Sequence, residues 1–133
     1  MKLIIAFSQL IILLLIGVNP GMALNSSGNL SECLIPSNCV LVEWSFPNLK
    51  NAYKELVGIA SSLPRVSEVE SSQNYWHGIV RSLIFRFPDD LEILRIDSRN
   101  LIQVRSASRI GLSDLGVNQK RVDDLYMQLT EEM

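Results

Sequence analysis

Arginine, aspartate and serine crowd the C-terminal half of the chain at spacings that could hold an anion. Arg81 and Ser82 lie in an aromatic, β-branched run, and Arg86 stands just before Asp89-Asp90. Arg105-Ser106-Ala107-Ser108-Arg109 follows, then Ser113-Asp114, Asn118 and Arg121. Guanidinium groups grip carboxylate or phosphate through paired, planar hydrogen bonds. In a strand, alternation sets Arg105, Ala107 and Arg109 on one face and Ser106 and Ser108 on the other. The two arginines then stand ~13 Å apart, at about 3.3 Å per residue. A helix opening at Asn118 would add backbone N–H groups to such a site. The opposing reading is structural. Arg105, Arg109 and Arg121 would pair with Asp89, Asp90 and Asp114 and fix the last loop against the last helix. The balance of arginines and aspartates favours this second reading.

Catalysis is thinly supplied. A serine nucleophile needs a base, and the one histidine, His77, reads as an edge-strand or packing residue. Asp89 and Asp90 are neighbours, so on a strand they would point to opposite faces, whereas in a turn either could act. Tyr75, Trp76, Phe85 and Phe87 read as core rather than as the walls of a ligand pocket. Two cysteines and one histidine leave too little for a metal site. The first reading of Cys33 and Cys39 is a local disulfide, worth roughly 2 kcal/mol in the loop-entropy view. A redox-active pair is the weaker reading, because the spacing is not Cys-x-x-Cys and no neighbouring cation lowers a thiol pKa. A metal site recruiting His77 is weaker still.

These residues must be positioned by a small fold. The chain has 133 residues, 12 Lys+Arg against 14 Asp+Glu, 20% charged and 47% hydrophobic residues. That suits one compact domain and excludes a disordered tail, a coiled-coil rod and a strongly basic nucleic-acid binder. No phosphate loop or dinucleotide fingerprint is present. No cofactor, metal or nucleic acid is therefore expected.

Three segments divide the chain. Met1-Lys2 precedes an apolar run from Leu3 to Val18, then Pro20 and Gly21-Met22-Ala23. One positive charge, an apolar stretch and small residues at −3 and −1 describe a secretory signal peptide over residues 1–23. Sixteen residues is short of the roughly 20 that a spanning helix needs, so cleavage is preferred to an uncleaved anchor. Residues 24–32 read as a flexible N-terminal arm. Residues 33–133 form the domain.

Within it, residues 47–63 carry an apolar stripe at helical spacing, with Pro47 in the first turn, Ser45 as a cap and Pro64 as a stop. Four strands are expected: Val66 to Glu70, Tyr75 to Phe87, Leu91 to Asp97, and Leu101 to Ile110. Pro88-Asp89-Asp90 and residues 97–100 supply turn chemistry between them. A last helix starts near Asn118 as N-cap and buries Val122, Leu125 and Leu129. The fold class is thus α+β: an antiparallel four-stranded sheet with an N-terminal and a C-terminal helix packed on one face.

Residues 81–90, Arg-Ser-Leu-Ile-Phe-Arg-Phe-Pro-Asp-Asp, and residues 104–118 with Arg121-Val122 resemble the uncharacterised family called domain of unknown function 1499. The Cys33-x5-Cys39 spacing is also similar, although Leu41-Val42 replaces the usual serines. The resemblance covers roughly residues 33–129. It implies an exported or membrane-associated protein of bacteria, cyanobacteria or plastids, here in a periplasm or thylakoid lumen. It points to Arg81, Arg86, Asp89, Asp90, Arg105, Ser106, Ser108, Arg109, Ser113, Asp114, Asn118 and Arg121 without giving them roles.

The function expected is a non-enzymatic binding or accessory domain working through an Arg/Asp/Ser-rich surface. Its target would be an unknown protein partner or a small anionic ligand, with the chain a monomer and a nearby membrane left open. The alternative is a hydrolase or lyase using Asp89, Asp90 or Asp114 with arginine clamps. The alternative needs a concave pocket and an aspartate of raised pKa, and aspartates tied into salt bridges would speak against it.

Overall fold

The structure, a computed structural model, describes residues 28–133. The signal segment expected over residues 1–23, and the first residues of the expected arm, lie outside the described residues.

Two helices and five strands follow one another as β1 (Cys39–Trp44), α1 (Leu49–Ser61), β2 (Val66–Ser71), β3 (Tyr75–Arg81), β4 (Pro88–Ile96), β5 (Leu101–Ser108) and α2 (Val117–Glu132). The sheet order is β1-β5-β4-β3-β2, and every neighbouring pair is antiparallel. The expected four strands are therefore five. The strand not expected, β1, reads Cys-Val-Leu-Val-Glu-Trp, an apolar run without the alternation that marks a half-buried strand. It forms because β5 offers it a free edge, pairing Cys39 with Ala107 and Trp44 with Ile102.

Helix α1 is capped by Asn48, not Ser45. The Asn48 side chain accepts a hydrogen bond from the Asn51 N–H at 3.1 Å, which satisfies one orphan donor of the first turn. Its Leu49, Ala52, Tyr53, Leu56 and Ala60 are buried. They join α2's Val122, Leu125 and Leu129 and the strand residues Trp76, Val80, Leu91, Ile93, Ile102 and Val104 in one core. The strand residues recur at every second position, as alternation requires. Each large side chain fully buried there contributes about 1.5–3 kcal/mol.

The strand expected over Tyr75–Phe87 ends at Arg81, and the expected turn Pro88-Asp89-Asp90 is the start of β4. A proline is tolerated as the first residue of a strand. Residues 82–87 form the hairpin loop instead, closed by Ser82 N–H to Phe87 O at 3.0 Å and by Phe87 N–H to Ser82 Oγ at 2.9 Å. Phe85 and Phe87 therefore leave the core in which they were expected and stand exposed.

The other set of alternating strand positions carries His77, Asp90, Glu92, Gln103 and Arg105, and these polar side chains are buried too. Leu30 covers part of it, fully buried, with its N–H donating to Gln103 Oε1 at 2.8 Å. Asn29 Oδ1 accepts from Arg99 and Gln103. The expected flexible arm is thus docked at residues 29 and 30, because a buried glutamine needs the backbone partner.

Three loops meet at one end of this sheet. Arg81 faces Pro88, Asp89 faces Ser108, and Cys39 faces Ala107, so the 33–38, 82–87 and 109–116 segments all leave from the same end.

Candidate functional site

Nine of the twelve candidate residues divide between the two faces of the sheet. On the face bearing Arg105, His77 lies opposite Glu92 in register but reaches along the strand to Asp90, Nε2 to Oδ1 at 2.7 Å. An ionised carboxylate only accepts, so the histidine carries its hydrogen on Nε2. Arg109 donates to both Asp90 oxygens, from Nε and Nη2, each at 2.7 Å. Asp90 is only 1% exposed. Burial alone would push its carboxyl up. The hydrogen bonds and charges of Arg109 and His77 outweigh that and hold it below the usual carboxylate range. The same contact holds the Arg109 guanidinium above its ordinary value.

One row further along, Arg105 Nη1 donates to Glu92 Oε2 at 3.2 Å, and Tyr75 OH donates to Glu92 Oε1 at 2.7 Å. Burial, and then the hydrogen bond to Glu92, push the Tyr75 phenol well above its ordinary pKa. Arg105 is as buried as Asp90, and its Nε has no partner among the described residues.

On the opposite face Asn118 is the hub. Its Nδ2 donates to Asp114 Oδ2 at 2.7 Å, Ser108 Oγ at 2.9 Å and Asn38 O at 3.2 Å. Its Oδ1 accepts from Ser106 Oγ and from Arg121 Nη1. Arg121 Nη2 continues to Asp89 Oδ2 at 2.9 Å. Asn118 is not the N-cap expected of it. Gly116, in the left-handed region at φ 83°, precedes the helix. The Asp114 side chain accepts from the Gly116 and Asn118 N–H groups in place of a cap.

Residues 29–129 match the family described as Protein of unknown function (DUF1499). The chain belongs to the DUF1499 family. No curated protein matches it. In this DUF1499 chain the matched span opens at Asn29, where the segment before β1 docks on the sheet.

The sequence-derived candidates thus fall into two separate groups. Asp90, Arg105 and Arg109 belong to one face; Asp89, Ser106, Ser108, Asp114, Asn118 and Arg121 belong to the other. Of the pairing expected between Arg105, Arg109, Arg121 and Asp89, Asp90, Asp114, two pairs form, Arg109 with Asp90 and Arg121 with Asp89, whereas Arg105 pairs with Glu92 and Asp114 makes no salt bridge among the described residues. Arg105 and Arg109 share a face, but neither is an open anion clamp: one is buried, the other closed on Asp90. Arg81, Arg86 and Ser113 belong to neither group. Arg86 and Ser113 lie exposed in the loops, and Ser113 Oγ accepts from the Leu115 N–H.

His77, Glu92, Tyr75 and Asn38 complete these networks and were not among the candidates. The signal for the first three is the alternation of Asp90, Glu92 and Leu94 in a strand that starts at Pro88. None of the three candidate aspartates is set as a general acid. Asp90 is held down where a general acid must be held up, Asp89 is paired with Arg121, and Asp114 serves the helix start. Among the described residues, no group of three His, Cys, Asp or Glu side chains could hold a metal ion, and no helix is long and apolar enough to cross a membrane.

Above these networks, the loop end displays Leu83, Ile84, Phe85 and Phe87 from one loop and Leu112 and Leu115 from another, all exposed. Phe85 and Phe87 stack with centroids 5.4 Å apart. The loops are tied down from below. Cys33 and Cys39 are joined in a disulfide. Asn38 Nδ2 donates to Gly111 O at 2.6 Å, the Asp114 N–H to Ser37 O at 3.1 Å, and Ser37 Oγ to Leu112 O.

Proposed function

We propose that this DUF1499 domain is an exported, non-enzymatic binding module that engages its target through the loop end of its sheet. The Arg/Asp/Ser cluster is then the frame of the site rather than its surface. The observation that carries this reading is the set of six large apolar side chains held exposed over a buried ionic frame, with Phe85 72% and Leu115 94% exposed. Single exposed apolar residues are ordinary, but a group of them at one end of a small domain marks a contact surface. Buried, hydrogen-bonded polar networks rigidify what they support. Export is supported by the signal-like segment over residues 1–23 and by a disulfide that suits an oxidising compartment, periplasm or thylakoid lumen.

Fractionation of host cells without detergent tests it. The native chain is expected in the sedimenting fraction. A Leu83→Ser/Phe85→Ser variant is expected in the supernatant with an unchanged melting temperature. A native chain that stays in the supernatant overturns the reading, as does a variant that sediments equally.

A further inference from the structure

We infer that the loop end of this domain is a docking site for an anionic lipid bilayer, an inference that rests on the binding-module reading above. The contact groups project from loops instead of lining a cleft, and Leu83, Ile84, Phe85 and Phe87 are the side-chain types that partition into the headgroup–acyl boundary. Charge selects the surface they meet. Segments 81–87 and 109–116 contain Arg81, Arg86, Arg109 and Asp114, and segment 33–38 contains no charge. Arg109 is closed on Asp90; Asp114 keeps its charge but spends its oxygens on the Gly116 and Asn118 N–H groups and the Asn118 amide. Arg81 and Arg86 remain, and neither makes a salt bridge among the described residues.

These two arginines flank Leu83, Ile84 and Phe85 in a chain whose overall charge is −2. A long arginine stem can lie along an apolar surface while its head reaches phosphate oxygens. Attraction between these two arginines and anionic headgroups would turn the loop end towards a negatively charged membrane. A neutral protein surface would satisfy the apolar groups but would leave the two unpaired arginines without a reason.

Vesicle sedimentation tests this with the native disulfide-bonded chain isolated from its host, its N-terminus defined by intact mass. The chain is expected to sediment with vesicles of phosphatidylcholine mixed with phosphatidylglycerol. Binding should be weaker by about tenfold or more on phosphatidylcholine alone, because two basic side chains lose their partners. Added salt should weaken it on the mixed vesicles. Arg81→Gln/Arg86→Gln should lose the preference for the anionic lipid, and Leu83→Ser/Phe85→Ser should lose binding to both, each with an unchanged melting temperature. A native chain that ignores both vesicles overturns the inference, and so does a Leu83→Ser/Phe85→Ser variant that binds like the native chain. If vesicle binding fails while the native chain still sediments in host extracts, the binding module stands and its target is a protein.

Discussion

Asp89 and Asp90 are consecutive in β4, and their carboxylates serve opposite faces of the sheet: Asp89 accepts from Arg121 at 2.9 Å and Asp90 from Arg109 at 2.7 Å. One dipeptide therefore joins α2 to the strands on one side and fixes the start of the 109–116 loop on the other. A one-residue slip of register would exchange the two carboxylates and break both pairs.

The Asp90 side of this pair gives stability a pH dependence. Its carboxyl is lower in the folded chain than in the unfolded one. Its stabilisation is therefore complete above the unfolded value near 4 and is lost as pH falls through the folded value. Arg109 is 36% exposed, so solvent weakens part of the pair. Asp90→Asn should cost about 2–3 kcal/mol at pH 7, mostly through lost charged hydrogen bonds. The difference from the native chain should narrow below pH ~4. Urea unfolding at neutral and acid pH measures both, and a difference that does not change with pH would show that Asp90 is not the ionised partner.

Asn118 is the second test of the frame. Truncation to alanine leaves buried Ser106 and the partly buried Asp114 and Arg121 each short of a partner. One buried unsatisfied group costs about 1–3 kcal/mol, so Asn118→Ala should cost about 3 kcal/mol. Ser113→Ala, at an exposed candidate outside both networks, should stay within about 0.5 kcal/mol. Thermal melts of the two variants compare them directly. Equal effects would mean that Asn118 is not a hub.

Much of this arrangement was legible in the residues themselves. The stripes of α1 and α2 followed from three- and four-residue spacing, and the opposite facing of Arg105 and Ser106 from strand alternation. The errors share a physical origin. Asp89 and Asp90 carry turn propensity, and that hid the strand whose partners give them their roles. Only with β4 starting at Pro88 do Glu92 and His77 come into relation with Arg105 and Asp90. Phe85 and Phe87 looked like core because aromatic residues usually are, and only the Ser82–Phe87 closure turns them outward. The strand β1 is specified by the free edge of β5, a long-range relation that no local pattern encodes.

Gly78 provides a third test, in the core. A Cβ built there lies 2.9 Å from Trp76 Cζ2 and closer still to Cη2. The indole folds over this glycine while its Nε1 donates to Glu68 Oε2 at 2.8 Å, so it cannot move away without losing that bond. Gly78→Ala should therefore destabilise by about 1–3 kcal/mol, the usual cost of overpacking. A urea midpoint equal to that of the native chain would show that Trp76 has another rotamer available.

The disulfide supplies the last test, because it constrains the segment that holds the loop end in place. Cys33 and Cys39 enclose Ser37 and Asn38, whose groups bond the 111–114 stretch of the neighbouring loop. Opening so short a loop removes about 2 kcal/mol by chain entropy alone. Cys33→Ser/Cys39→Ser should lower stability by about that amount. The β1–β5 pairing should persist, since it rests on backbone bonds and on Val40 and Val42 packed against the core. Amide exchange should therefore quicken at Asp114, whose N–H is held by Ser37 O, and stay slow in β5. Uniform quickening across both would mean that the disulfide stabilises the whole fold and not the loop end in particular.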